Sequence, residues 1–193
     1  INTDTEKFAC IGIGPGIGTG DAIQKTLLHF VANCSSPLVI DADALNCLAA
    51  VKDSLKSIPP GSILTPHPKE FERLFGKTAN DFERIRLAVI KASELNCIIV
   101  LKGHHSFIAT PSGNGYFNNT GNAGMARGGS GDVLTGIITA LRAQQYSSRD
   151  AALLGVYLHG LAGDMAADRL SKEAMIAGDI IDHLSYAFLS LVP

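Results

Sequence analysis

The segment Gly128-Gly129-Ser130-Gly131-Asp132 gathers residue types that could carry a reaction. Glycines run there straight into an apolar helical pattern. Unpaired backbone N–H groups would then converge at the positive end of a helix dipole, where a phosphate or a developing negative charge is stabilised. Asp132 falls where a carboxylate reaches the same spot. Such a carboxylate repels an anion unless it takes the proton of an attacking hydroxyl while the amides and a metal hold the phosphoryl group. The pattern therefore points to phosphoryl transfer to an alcohol. On these residues alone, a plain helix-capping role for Asp132 has equal weight.

Three further segments follow apolar runs that read as strands. Lys102-Gly103-His104-His105-Ser106 would put a cation and a flexible backbone at the ligand edge of a parallel sheet, suited to a nucleotide phosphate or base edge; the alternative is a solvated lysine opening a hairpin. The adjacent histidines, if on a strand, face opposite ways, which disfavours zinc. In Thr65-Pro66-His67-Pro68-Lys69-Glu70, His67 and Glu70 share one helical turn, so His67 could hold substrate while Glu70 orients magnesium-bound water; a favourable first-turn charge is the plainer role for Glu70. Asp41 and Asp43 read either as acidic ligands or, for Asp43, as a helix cap. The run Gly12 to Gly20 opens like a dinucleotide fingerprint, but position 17, where the third glycine belongs, is Ile. What remains is a backbone that approaches a ligand closely, or simply a tight turn.

The elements that must position these residues alternate. Strands are expected at Phe8 to Ile13, Leu38 to Ile40, Ser62 to Leu64 and Ile98 to Leu101. Helices are expected at Asp21 to Asn33, Ala44 to Val51, Lys69 to Phe75 and Asn80 to Leu95, with Asn80 as N-cap. That alternation is parallel α/β layering. Pro111-Ser112-Gly113-Asn114-Gly115 predicts a hairpin within His105 to Phe117, adding antiparallel strands. The remainder reads as helices near Val133 to Gln144, Ser148 to Leu170 and Ala177 to Leu191.

With 193 residues, 46% hydrophobic and 18% charged, the chain suits one domain with one substantial core. A net charge of -2 disfavours nucleic acid as the main partner. Four scattered cysteines without a C-x-x-C pair argue against a zinc site or disulfide framework and for buried thiols in a reducing compartment. No apolar run is long enough for a membrane span and the first residues are unlike a signal peptide, so a cytoplasmic protein is expected.

Taken in order, Gly14-Pro15-Gly16, Asp41-Ala42-Asp43-Ala44-Leu45, Thr65 to Glu70, Lys102-Gly103, Thr120 to Met125 running into Gly128 to Asp132, and Tyr157 to Asp164 resemble the NAD(P)H-hydrate dehydratase family of the ribokinase-like superfamily. The resemblance implies a three-layer α/β fold with a mostly parallel sheet. It also implies dehydration of the S-epimer of hydrated NADH or NADPH, driven by ADP or ATP with Mg2+, ADP being the preferred nucleotide. In that pattern Asp132 is the base on the substrate hydroxyl, and Gly129, Ser130 and Gly131 form the anion hole. Lys102, Gly103, His104, His105, Ser106 and Gly131 contact the nucleotide. Gly14 or Gly16, together with His67, touches the hydrated cofactor, and Glu70 organises magnesium through water. A homotetramer is implied as well. Arg127 and Ser106 depart from the family's usual residues at their positions. Family domains begin further upstream, so residues 1–193 are expected to be one such domain lacking its N-terminal part. A vitamin-precursor or sugar kinase of the same superfamily, or a catalytically silent nucleotide-binding module, is the alternative.

Overall fold

A computed structural model describes Thr5 and residues 7–51 and 53–191. Among the described residues six strands form one sheet in sequence order: β1 (Ile11–Ile13), β2 (Leu38–Ile40), β3 (Ile63–Leu64), β4 (Ile98–Leu101), β5 (Phe107–Ala109) and β6 (Gly115–Phe117). The first four pair in parallel, with Ile13 opposite Ile40 and Leu64 opposite Ile99. β5 and β6 add antiparallel, as the turn residues between them predict. The expected mostly parallel α/β sheet is what forms.

Among the described residues seven α-helices accompany it: α1 (Asp21–Asn33), α2 (Ala42–Ala49), α3 (Pro68–Phe75), α4 (Asp81–Leu95), α5 (Ser130–Ala143), α6 (Ser148–Leu170) and α7 (Ala177–Leu189). Strand residues alternate between the two faces, as a two-residue period requires. Val39, Ile63, Val100 and Ile108 pack with Ile138 and Leu141 of α5 and with α6. On the opposite face Leu38, Ile40 and Leu64 pack with Leu27 and Leu45 of α1 and α2, while Ile99 and Leu101 meet Phe71 of α3 and Ala88 of α4. Helix, sheet and helix make the three layers. α7 lies against α6 in a further cluster around Leu158 and Ile180. No described helix is long and apolar enough to cross a membrane.

Boundaries differ from expectation where local chemistry overrides pattern. β1 starts at Ile11 rather than Phe8, because Phe8 N–H turns back to the Thr5 carbonyl at 3.1 Å instead of joining the ladder. α2 begins two residues early, at Ala42, whose positive φ of 48° bends the chain directly out of β2. α5 begins at Ser130 rather than Val133, so the glycine segment forms the helix's own first turn. Asn80 does cap α4, accepting the Glu83 N–H at 2.9 Å.

Candidate functional site

The parallel strands release Gly14, Asp41, Thr65 and Lys102 at one edge of the sheet. Gly14 has φ +135°, and a Cβ there would lie 1.8 Å from the Asp41 carbonyl oxygen, so only glycine lets β1 leave against β2 this closely. The loop beyond is fastened by Asp43, whose Oδ2 accepts the Gly18 N–H at 2.9 Å. Asp43 thus secures the glycine loop and does not cap its own helix. Asp41 is 1% exposed. Its Oδ1 accepts from Lys102 Nζ at 2.6 Å and its Oδ2 from Thr135 Oγ1 at 2.8 Å, which links the ends of β2 and β4 to α5.

At the start of α5, Gly129 adopts φ +90° and caps the helix with no side-chain bond. Ser130 N–H reaches only the Arg127 carbonyl, at 3.4 Å. Among the described residues the Gly131 and Asp132 amides meet no acceptor, leaving them free at the positive end of a helix of 14 residues. The Asp132 carboxylate is exposed on the same turn and forms no hydrogen bond or ion pair with the described residues. The capping reading of Asp132 therefore has no support in the geometry.

The turn is braced from behind by part-buried His159 of α6, whose Nε2 lies 2.9 Å from the Ser130 carbonyl oxygen. A carbonyl only accepts, so Nε2 carries the proton. Burial, aided by the positive charge of Lys102 and opposed by the Ser130 bond, pushes the imidazole pKa down to about 4. Because the folded state resists this protonation while the unfolded chain accepts it near 6.5, the stabilisation is complete above about 6.5 and is lost as the pH falls toward about 4. The loss from this residue is expected to approach about 3 kcal/mol. Denaturant midpoints measured from pH 7 to pH 4 should show it, and His159→Gln should flatten that slope.

His67 and Glu70 form a capping box at α3. His67 Nδ1 accepts the Lys69 and Glu70 amides at 3.1 and 3.3 Å, so its proton sits on Nε2, 3.3 Å from Glu70 Oε1. Glu70 Oε2 accepts the His67 N–H at 2.8 Å. Both oxygens of this buried carboxylate thus face His67, and no described cluster of three His, Cys, Asp or Glu could hold a metal ion. Among the described residues no three-ligand metal site is built, and with both Glu70 oxygens on His67 the residue would meet Mg2+ through water. His104 and His105 lie in a bend, not on a strand, and their rings meet edge to face at 4.4 Å. The expectation that they point apart is wrong, but among the described residues no third ligand joins them.

The loop Thr120 to Met125 is clamped to α6. Asp164 accepts the Gly121 N–H at 2.8 Å and Asn122 Nδ2 at 2.9 Å, and Thr120 Oγ1 donates to the Tyr157 carbonyl at 2.9 Å. Gly160 and Gly163 make room for this contact: a Cβ on either would fall 2.2 Å from Thr120 Oγ1 or 2.3 Å from Met125 Sδ. Arg127, beyond the loop, spends its guanidinium on the carbonyls of Lys172 and Glu173.

These elements enclose a cavity of about 700 Å³. His67, Lys102, Gly103, His104, Ser106, Ser130 and Gly131 all line it, with Asn118, Leu134, Val156 and His159 among the other walls. Gly14, Gly16, Glu70, His105, Gly129 and Asp132 do not. Asp41, read from the sequence as an acidic-ligand candidate, is engaged by Lys102 and Thr135, and the roles of Thr135, His159 and Asp164 were not read from the sequence. Their one signal is polar residues interrupting apolar helix or strand patterns, next to glycines three residues apart in α6.

The sequence matches the NAD(P)H-hydrate dehydratase family over residues 1–185. It is 44% identical over 183 residues to the bifunctional NAD(P)H-hydrate repair enzyme Nnr of Moorella thermoacetica, a match covering 94% of this chain and 34% of that protein. It is 35% identical to the ADP-dependent (S)-NAD(P)H-hydrate dehydratase of Bacillus subtilis, covering 93% of this chain and 63% of the relative. The crystal structure of the Bacillus subtilis ADP/ATP-dependent NAD(P)H-hydrate dehydratase, co-crystallised with ATP/Mg2+ and soaked with CoA, superposes with a TM-score of 0.82 at 34% identity, covering 94% of this chain and 66% of that one. The chain thus spans about a third of the first relative's length and just under two thirds of the others'.

Proposed function

Because the chain belongs to the NAD(P)H-hydrate dehydratase family, we propose that it is the nucleotide-using domain of an enzyme that dehydrates the S-epimer of hydrated NADH or NADPH, with ADP or ATP as phosphoryl donor. The observation that supports this best is the first turn of α5. Two free amides, at Gly131 and Asp132, stand there beside an unengaged carboxylate at the rim of a cavity that Lys102 lines.

In this reading Asp132 takes the proton of the hydroxyl carried by the hydrated ring as that oxygen attacks the terminal phosphorus of the nucleotide. The P–O bond to the leaving phosphate breaks, releasing AMP from ADP or ADP from ATP. The segment Gly129 to Gly131 forms the anion hole, where the free amides of Gly131 and Asp132 face the charge that develops on the transferred group. The ring then expels inorganic phosphate and loses a proton from the neighbouring carbon, which restores the reduced nicotinamide. Phosphorylation is what turns hydroxide into a competent leaving group. Lys102 to Ser106 hold the nucleotide, and Gly14, Gly16 and His67 hold the hydrated cofactor. Mg2+, where it enters on the nucleotide, neutralises phosphate charge. Glu70 acts through His67, whose ring it orients.

The reading extends to a cytoplasmic homotetramer built around one such domain. Ile176, Ile181 and Leu189 of the α7 region are 61%, 57% and 66% exposed, apolar surface that partner subunits would cover.

Turnover of hydrated NADH by the full-length protein, with ADP and then with ATP, tests the proposal. The expected result is recovery of the near-ultraviolet absorbance of reduced nicotinamide with equimolar free phosphate. A stable phosphoester, or no recovery at all, would overturn it.

A further inference from the structure

Asp41 takes no part in the proton transfer or the anion hole just proposed, yet it joins the ends of β1, β2 and β4 to α5. Its backbone N–H donates to the Ile13 carbonyl at 3.0 Å, and its own carbonyl abuts Gly14. Its carboxylate holds Lys102 on one oxygen and Thr135 on the other. Thr135 Oγ1 also lies 3.1 Å from the Gly131 carbonyl oxygen, one turn back along α5. A Cβ built on Gly131 would sit 3.4 Å from Lys102 Nζ and 3.7 Å from Asp41 Oδ2, so the ion pair fills the space beside the anion-hole glycine. An apolar filling would pack this spot as well as a buried ion pair, so stability alone does not account for it.

We infer that Asp41 is a positioning residue for nucleotide binding: it directs the Lys102 ammonium and, through Thr135, the first turn of α5 toward the same phosphate group. Without the carboxylate the ammonium would swing toward solvent, and cation and amides would no longer converge. The inference rests on the cavity being a nucleotide site and not on the dehydration chemistry.

Calorimetric titration of the full-length protein with ADP tests it, using Asp41→Asn, Lys102→Met and the double variant, each checked for folding by thermal melting. Asp41→Asn and Lys102→Met are each expected to weaken ADP binding about tenfold or more, and the double variant no further than the worse single one, the non-additivity of residues acting as one unit. The KM for ADP should rise with Asp41→Asn while the KM for hydrated NADH stays put, a split that a merely structural role would not produce. Unchanged ADP affinity in Asp41→Asn, or losses that multiply in the double variant, would overturn the assignment. Should Asp41→Asn fail to fold, Thr135→Val decides, since it keeps the ion pair and cuts its tie to α5: weaker ADP binding supports the role, and unchanged binding refutes it. Because ADP binding is read without turnover, an enzyme that binds ADP in this way but never dehydrates the hydrate would refute only the function proposed above.

Discussion

Asp132→Asn is expected to lower turnover of hydrated NADH by about 10³-fold, within the range of a lost general base, while ADP affinity changes little. The amide keeps the size and the exposed position of the carboxylate on the first turn of α5, and the native side chain forms no bond that the helix would miss. Stability should therefore be unchanged. Single-turnover kinetics separate the chemical step from binding. A variant that loses nucleotide affinity and stability together would return Asp132 to the role of a helix-end charge.

Gly14→Ala should be the most damaging small substitution in the site. Its backbone sits at φ +135°, outside the regions open to alanine, and the new methyl would meet the Asp41 carbonyl oxygen at 1.8 Å and the Asp41 carbonyl carbon at 2.7 Å. The obstacle is backbone, which cannot rotate away. A loss of about 3 kcal/mol or more is expected, enough to unfold a marginal domain. Gly16→Ala is the contrast: at φ +67° with nothing within 4 Å of the added methyl, it should cost only about 1 kcal/mol. Urea midpoints of the two variants measure the difference.

The layered fold was legible because buried strands such as Ile98-Ile99-Val100-Leu101 are apolar on both faces, and because Asn80 and the Pro111 to Gly115 turn carry unambiguous local chemistry. Lys102, Gly103 and Gly131, which line the cavity, were legible as candidates for the same reason: special backbone beside strand ends or a helix start. The couplings were not. Asp41 and Thr135 lie 94 residues apart, and nothing local in either segment announces that one oxygen of the first will meet the hydroxyl of the second. The capping box shows the converse limit. His67 and Glu70 at three-residue spacing were recognised as a pair, but spacing does not say that the carboxylate turns back onto the histidine instead of outward.

Strand order that follows the chain, β1 through β6, has a consequence for how the protein is made. During synthesis each of these described strands can dock on the one before it, so from β1 to β6 the sheet widens toward one side and no earlier strand among them needs to be displaced. α5, whose first turn carries the free amides, emerges after β6, and its brace on α6 emerges later still. A nascent chain should thus assemble this part of the scaffold first and acquire affinity for nucleotide only once α5 and α6 have emerged.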